Sequence, residues 1–307
     1  MNKLRRSWIL FKCSVSIVLQ NKKLLVFPIL SFIFTMMILG FVITPVAFQP
    51  TGHSLGEGAH WKAVANTLFV AKSTAANPGR TDVTLKPVAV GIGIGIYMVS
   101  MFLATFFNVA FFHQILQALR GNAVSVQAGL RFAISKISGI AMWSLFAGVI
   151  GLIIKTLEER LDLIGRIIMK LVGTAWSVAS VFVIPVLIVE PSINPVTVLR
   201  KSASTLKKTW GESLAGYLGL QFGGFLVLGF SILFIGGAIF ASVALNNFWI
   251  LAGAGIAWIV ALIAFGYLTS VASQVYRCAL FVYASEGTIP QPYNSELLEM
   301  AWKMKKA

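Results

Sequence analysis

The charged residues that could do chemistry are concentrated around one Glu-Pro turn at positions 190 and 191. Glu190 follows the apolar run FVIPVLIV, and a basic segment comes next that contains Arg200, Lys201, Lys207 and Lys208. An ionised side chain at membrane depth is costly and is usually paired or functional. Glu190 is therefore expected either to pair with a cation (Arg200, Arg277 or the N-terminal arginines) or to lie at headgroup level as a carboxylate that ends a helix.

Arg277 is the other charged candidate, and it lies late in the last apolar run, shortly after Gln274. Its guanidinium could bind a lipid phosphate or pair with Glu190, or it could extend to the surface from an interfacial helix. Asn108 and Gln221 lie deeper in apolar runs. We expect these two side chains to hydrogen-bond between helices rather than to bind a ligand.

No group of residues has the spacing of a metal, cofactor or catalytic site. His53, Glu57 and His60 are close in sequence, but the neighbouring glycines disfavour the helix that would align them, and three ligands leave a zinc site open. The runs GIGIGIY and AGAGIAW lack the Lys-Ser or Lys-Thr pair of a phosphate-binding loop. Nucleophile, base and oxyanion groups do not converge anywhere in the sequence. We therefore predict no enzyme activity, no catalytic residue, no metal and no cofactor.

The composition is that of an integral membrane protein. Of the 307 residues, 57% are hydrophobic and only 11% are charged, whereas soluble domains have about a quarter charged residues. The net charge of +15 could indicate nucleic-acid binding. The basic residues instead lie in short loops between apolar runs, where the preference for positive charge in the cytoplasm explains them, so we predict no nucleic-acid partner. Cys13 and Cys278 are expected to be reduced thiols.

The apolar runs predict an all-α fold: a polytopic membrane protein with six transmembrane helices in three hairpins. About 20 apolar residues cross roughly 30 Å of hydrocarbon as a helix. Residues 1–23 are expected to form a basic amphipathic cytoplasmic helix, residues 24–283 the six-helix domain, and residues 284–307 an amphipathic cytoplasmic tail. The spans are predicted at about 24–48, 87–112, 137–154, 171–189, 214–245 and 249–272.

Shorter segments between the spans also have readable patterns. Residues 155–170 place apolar side chains on one face and are expected to lie flat on the far membrane surface. Part of the long loop after the first span, around 61–72, could be a short helix. Pro185 is expected to bend the fourth span near its end. Ser125 and Asn194 are expected to cap the two basic helices that follow them.

The distribution of basic residues predicts the orientation of the chain. With six spans, both termini and the second and fourth loops share one side, and they hold most of the 25 basic residues. Because positive charge is retained in the cytoplasm, both termini are predicted to be cytoplasmic. The predicted location is the inner cell membrane.

Three short motifs indicate an internal repeat. LRRS begins at Leu4, LRFA at Leu130 and LRKS at Leu199, each before an outward span, and the second and sixth spans are followed by Arg-Gly-Asn and Glu-Gly-Thr. Each unit would consist of an interfacial helix, an outward span and an inward span, which makes the repeats parallel. The alternative is that membrane topology alone places similar basic flanks before each outward span.

Three stretches, RSW…LVFPILS, FVIPVLIVEPS…RKS…TWGE and ASEGTIP, resemble a prokaryotic family of multi-pass membrane proteins, domain of unknown function family 6159. The resemblance covers nearly the whole chain. It implies the multi-pass architecture, and it implies no activity, cofactor or partner.

The predicted function is a non-enzymatic membrane component that organises lipid or partner proteins through its basic cytoplasmic face. Anionic lipid headgroups are attracted to such a face, and the contact residues would be Glu190, Arg200, Lys201, Lys207, Lys208 and Arg277. A protein partner or a second copy of the chain could also bind there. The alternative is a transporter, or a transporter subunit, for an apolar or amphipathic substrate. An enzyme embedded in the membrane is a third and weaker hypothesis.

Overall fold

The chain is almost entirely α-helical in a computed structural model, which describes residues 3–73, 81–191, 194–208, 229–290 and 293. The elements in chain order are α1 (Lys3–Gln20), a short 3₁₀ helix (Lys22–Leu25), α2 (Val26–Ala47), α3 (Gly58–Leu68), β1 (Phe69–Ser73), β2 (Thr81–Leu85), α4 (Pro87–Leu119), α5 (Val126–Ser135), α6 (Ile137–Arg160), α7 (Leu163–Ala179), α8 (Val183–Val189), α9 (Pro195–Lys208), α10 (Gly229–Ala244) and α11 (Phe248–Glu286).

Five helical stretches in the described part of the chain are long and apolar enough to cross a membrane. They are Lys22–Ala47, Pro87–Leu119, Ile137–Arg160, Leu163–Val189 and Phe248–Glu286. The spans predicted at about 24–48, 87–112, 137–154, 171–189 and 249–272 fall within them or nearly so. The span predicted at 214–245 begins outside the described residues, and α10 is the part of it that the structure describes.

The expected flat helix at 155–170 does not form as a separate element. Instead, α6 continues to Arg160 and α7 begins at Leu163, so that a sharp turn joins two helices that pack against each other. Asp162 makes the turn possible, since its side chain accepts a hydrogen bond of 3.1 Å from the backbone N–H of Gly165 and so caps α7. The apolar face that suggested a surface helix belongs to the ends of these two helices.

The loop after α2 contains a β-hairpin that the sequence analysis did not predict. α3 matches the short helix expected around 61–72 only in part, because the helix ends at Leu68 and the backbone is extended from Phe69 onward. β1 and β2 pair in antiparallel register, with Phe69 opposite Leu85 and Lys72 opposite Asp82.

The expected bend at Pro185 is confirmed as a break between α7 and α8. A proline ring has no N–H and clashes with the carbonyl four residues earlier, here that of Val181. The chain therefore leaves the helix after Ala179 and re-enters it at Val183. The hydroxyl of Ser202 on α9 satisfies both sides of this break: it donates to the carbonyl oxygen of Ala179 at 2.6 Å and accepts from the N–H of Phe182 at 3.0 Å.

The buried core lies at one end of the long helices, which we call the core end. α2 and α6 begin there, and α4, α8 and α11 end there. The largest fully buried side chains include Leu24, Phe27, Ile115, Ile140 and Phe182, all at this end. The most apolar stretches of α2, α4 and α11 in contrast contain almost no buried residues. The tertiary packing of the described residues is therefore concentrated where the helices leave their apolar stretches.

Three short amphipathic helices complete the core end, and each packs against a long helix. α5 lies against α4, which precedes it; α9 lies against α8, which precedes it; and α1 lies against α11, the last described helix. Each helix buries apolar residues against the protein, among them Val18 in α1, Ala133 in α5 and Val198 in α9, whereas the sequence analysis expected the first of these helices at the lipid interface.

Each of the three short helices contains buried residues that are four positions apart. α5 buries Gly129 and Ala133, and the other two helices bury four residues each: Leu10, Ser14, Ile17 and Val18 in α1, and Val198, Ser202, Thr205 and Leu206 in α9. In α5 and α9 such a pair begins directly before the leucine of the LRFA and LRKS motifs, whereas in α1 no buried pair begins directly before the leucine of LRRS in the described side chains.

Gly129 lies at a close contact between α5 and the backbone of α4, and this contact can be tested by substitution. A Cβ atom at this position would lie 2.9 Å from Cγ of Gln114 and from Cζ of Phe27, and 3.0 Å from the backbone oxygen of Ala110. Because the backbone of α4 cannot move aside freely, we expect Gly129→Ala to lower the free energy of unfolding by about 1–3 kcal/mol. The measurement is the thermal unfolding midpoint in detergent.

Gly40→Ala is the matched control for this substitution. Nothing lies within 4 Å of a Cβ atom at Gly40, and alanine is the better helix former by roughly 0.5–1 kcal/mol. The control should therefore be neutral or slightly stabilising. If the two variants have equal midpoints, α5 does not pack against α4 as described.

Candidate functional site

Glu190 forms an ion pair at the core end, and its partner is Lys201. Glu190 ends α8, its side chain is only 16% exposed, and its carboxylate contacts Nζ of Lys201 on α9. Nζ of Lys136 donates to the backbone oxygen of the same glutamate at 3.2 Å. Glu190 thus both ends a helix and pairs with a cation, and its partner is none of those that the sequence suggested. Arg200, one of the partners that the sequence suggested, is exposed instead.

The way α9 lies against α8 explains why Lys201 and not Arg200 reaches Glu190. The side chain of Asn194 accepts a hydrogen bond of 3.0 Å from the N–H of Val196, so the predicted cap of α9 is confirmed. The cap fixes where the helix starts, and the hydrogen bonds of Ser202 to the break before α8 fix which face turns toward α8. Since adjacent residues on a helix point about 100° apart, Lys201 lies about 100° from Ser202, whereas Arg200 lies about 200° from it.

A second ion pair joins the ends of α4 and α11. Nη2 of Arg120 lies 3.1 Å from Oε1 of Glu286, although the two residues are 166 positions apart in the chain. Each is followed by a glycine with a positive φ, 76° at Gly121 and 69° at Gly287. Glycine adopts this left-handed conformation without steric cost, which is why it commonly ends a helix. The two similar helix ends that the sequence showed are thus brought together.

Five exposed cations at the core end have no ion pair within the described residues. They are Lys22, Lys23, Arg131, Arg200 and Lys207. The described acids of this end, Glu190 and Glu286, are both paired already. Among the predicted contact residues, Arg277 is half-buried on α11, and the side chain of Lys208 lies outside the described part of the structure. The predicted group thus divides into a paired lysine, exposed cations and a half-buried arginine.

The histidines of the loop after α2 do not converge on one point. His53 and Glu57 form an exposed pair at 3.4 Å. His60 is buried, and both of its ring nitrogens are engaged: Nε2 donates to the carbonyl oxygen of Ala47 at 2.8 Å, and Nδ1 lies 2.6 Å from the hydroxyl of Thr51. His60 therefore links α3 to the end of α2 through a hydrogen bond. No group of three metal-ligating side chains occurs in the described ranges.

The two cysteines are free thiols in the core end. Cys278 on α11 is fully buried and Cys13 on α1 is half-buried. Burial raises the pKa of the Cys13 thiol, because the thiolate would lose its hydration. The protonated thiol is a poor nucleophile, so neither position has the features of a reactive cysteine.

A polar cavity of about 150 Å³ lies between α2, α4 and α11, and the sequence analysis did not find it. Its polar lining consists of Ser31, Asn108, Ser270 and Gln274. Asn108 was expected to hydrogen-bond between helices, but its side chain has no such bond among the described residues. Ser270 and Gln274 are four residues apart and share a helix face, which is a signal that the sequence did contain. The contributions of α2 and α4 depend on tertiary packing.

Long apolar helices with exposed apolar surfaces define the class of protein: a helical protein with membrane-spanning capacity. Residues 89–290 match the sequence model of a family of unknown function, DUF6159, and the chain belongs to that family. The match includes α5 to α11 and most of α4, and it ends with the ASEGTIP stretch; the RSW…LVFPILS stretch lies before it. No curated protein and no solved structure matches the chain.

The ion pair between Arg120 and Glu286 can be measured with a double-mutant cycle. Both side chains are about half-exposed, so water and salt weaken their attraction, and we expect a coupling of about 0.2–1 kcal/mol. The cycle uses Arg120→Gln, Glu286→Gln and the double variant, with unfolding followed in detergent at low and high salt.

Lys155 and Glu159 are the matched control pair for this cycle. They lie 4.0 Å apart one turn along α6, and both are more exposed than Arg120 and Glu286. Their coupling should be smaller. A coupling for Arg120 and Glu286 that is no larger than that of the control would mean that the pair does not hold α4 and α11 together.

Proposed function

We propose that this chain is a non-enzymatic, multi-pass component of the inner cell membrane that binds anionic lipid headgroups through its core end. The observation that carries the proposal is the group of five exposed cations, Lys22, Lys23, Arg131, Arg200 and Lys207. The acids nearby are already neutralised by Lys201 and Arg120. The five positive charges are therefore free to attract phosphate groups.

The number of crossings that fits this proposal is six, and the supporting argument is parity. The hydroxyl of Tyr293, which follows α11, lies 2.8 Å from Oγ of Ser14 on α1. The chain thus enters the first apolar helix and leaves the last one at the same end. α2, α4, α6 and α7–α8 account for four crossings and α11 for another. An even number then requires one more between α9 and α11, where α10 is the apolar helix.

The same geometry supports a cytoplasmic position for the core end. Its described exposed charges that have no ion pair are cations, whereas the turn between α6 and α7 at the opposite end carries Glu158, Glu159 and Asp162 among its basic residues. Positive loops are retained in the cytoplasm during membrane insertion. The cytoplasmic leaflet also carries the anionic lipids of many membranes. The cations would therefore lie at the level of the headgroups that they are proposed to bind.

The test neutralises two cations of α9 that have no ion pair. A basic residue near an anionic surface contributes about 1 kcal/mol, so Arg200→Gln with Lys207→Gln should weaken phosphatidylglycerol binding roughly thirtyfold. The measurement is native mass spectrometry of the full chain with phosphatidylglycerol or phosphatidylcholine, comparing the occupancy of bound lipid. Phosphatidylcholine binding should not change.

Lys155→Gln with Lys170→Gln is the matched control, because it removes the same charge from the opposite end of the helices. Equal loss of phosphatidylglycerol in both double variants would contradict a site at the core end. A copurifying polypeptide that is lost only from the Arg200 and Lys207 variant would identify a protein, instead of lipid, as the partner of this surface.

Transport of an amphipathic substrate is a second candidate function, and the polar cavity favours it. A cavity among apolar helices that contains Asn108 and Gln274 could admit a polar group at membrane depth. The test follows a fluorescent phospholipid between the leaflets of liposomes that contain the purified chain, using dithionite to quench the outer leaflet. A transporter should accelerate exchange several-fold over empty liposomes, and Asn108→Leu should slow it. Exchange at the rate of empty liposomes would exclude transport of this lipid.

A further inference from the structure

The four polar side chains of the polar cavity lack hydrogen-bond partners. Ser31, Asn108, Ser270 and Gln274 make no side-chain hydrogen bond within the described residues, and Oε1 of Gln274 is sealed from solvent. Hydroxyls elsewhere in the long helices behave differently. Those of Thr35, Thr105 and Ser285 donate at 2.8 Å to the carbonyl oxygen four residues earlier. Nε1 of Trp258 and Oγ1 of Thr269, outside the cavity, also lack partners, so it is the convergence of four such side chains that distinguishes the cavity.

Buried polar groups are normally hydrogen-bonded, and the requirement is strictest within apolar surroundings. Oε1 of Gln274 is such a group, and the partly accessible side chains of Ser31 and Asn108 and the exposed Ser270 lie beside it. The four groups converge from α2, α4 and α11 and can bind a shared partner. Two are hydroxyls and two are carboxamides, and each of these groups can both donate and accept. The partner that matches all four is itself a donor and an acceptor, which is the property of a hydroxyl group.

The walls of the cavity select against a charged partner. No ionisable side chain lines it, and Phe27, Phe107 and Phe111 form much of its apolar surface. These three rings are almost fully buried. A phosphate or an ammonium group would lose its hydration there without gaining a counter-charge, which is strongly unfavourable. The bound group is therefore uncharged.

The volume and the surroundings of the cavity indicate a lipid. A volume of about 150 Å³ is well above the roughly 10–15 Å³ that a single water molecule needs, and it leaves space for the polar groups of a glyceryl headgroup. Ile29 on α2 and Ile263 on α11 lie near its lining residues in the chain, and their side chains are 47% and 67% exposed. Acyl chains attached to such a headgroup could contact this exposed apolar surface beside the cavity.

We propose that the polar cavity binds the hydroxyl-bearing, uncharged headgroup of a neutral glycerolipid such as diacylglycerol. The headgroup donates hydrogen bonds to, and accepts them from, the side chains of Ser31, Asn108, Ser270 and Gln274. A charged headgroup is excluded because it would lose its hydration against the three phenylalanines. This site is independent of the cations of the core end, because the cavity binds an uncharged group, whereas the cations attract a negatively charged one.

The test measures the thermal unfolding midpoint of the full chain in detergent with added dioleoylglycerol. The lipid should raise the midpoint of the wild-type protein, and Gln274→Met should reduce its affinity about tenfold by removing buried hydrogen bonds. Without lipid, Gln274→Met should be as stable as the wild type or more so, since it removes a polar atom without a partner. Ser270→Ala is a smaller second variant that should show the same loss if Gln274→Met fails to fold.

Gln20→Met is the matched control, because Gln20 is exposed on α1 and its loss should leave the lipid effect unchanged. An equal effect of dioleoylglycerol on the control and on both cavity variants would place the lipid elsewhere and overturn the proposal. No effect on the wild type would mean that the cavity binds water only. If glycerol at the same concentration raised the midpoint equally, the ligand would be a small polyol and the lipid assignment would be wrong.

Discussion

Each short helix at the core end lies so close to its long neighbour that the contact depends on small or hydroxyl-bearing residues. Gly129 leaves no space for a side chain against α4. Ser202 binds the backbone on both sides of the break between α7 and α8. Ser14 donates to the carbonyl oxygen of Leu10, so Tyr293 donates the hydrogen in the bond between their hydroxyls. The apolar stretches beyond these contacts have few protein neighbours, and the arrangement of the long helices therefore depends on the core end.

The same arrangement separates the charges that are paired within the protein from the cations that remain exposed. The ends of three long helices meet at the core end, and both of its described acids are paired with cations there: Glu190 with Lys201, and Glu286 with Arg120. Arg200 and Lys207 lie on exposed positions of α9, away from those pairs. One helix thus has two separate roles: one part of its surface binds the adjacent protein, and the rest remains available to anions. A few residues deeper, the polar cavity contains no charge.

The sequence was sufficient for features that depend on local chemistry. Apolar length locates the long helices, Pro185 locates the break, and Ser125 and Asn194 cap α5 and α9 as predicted. Features that depend on the rotation of one helix against another could not be predicted. Lys201 and Arg200 are adjacent in the sequence, and only the position of α8 decides which of them meets Glu190. Likewise, an amphipathic pattern is the same whether lipid or protein covers its apolar face, so that α1 looked like an interfacial helix.

The packing of α1 against α11 has a consequence for the order of assembly. α1 is synthesised first and α11 last among the described helices, and at about 5–20 residues per second roughly ten to fifty seconds pass between them on the ribosome. During that interval the apolar face of α1 has no protein partner, and the membrane surface is the nearest apolar environment. We therefore expect α1 to lie at the lipid interface until α11 has been made and to move into the core afterwards. The amphipathic sequence would then act in the nascent chain, and the hydrogen bond between Ser14 and Tyr293 would form last.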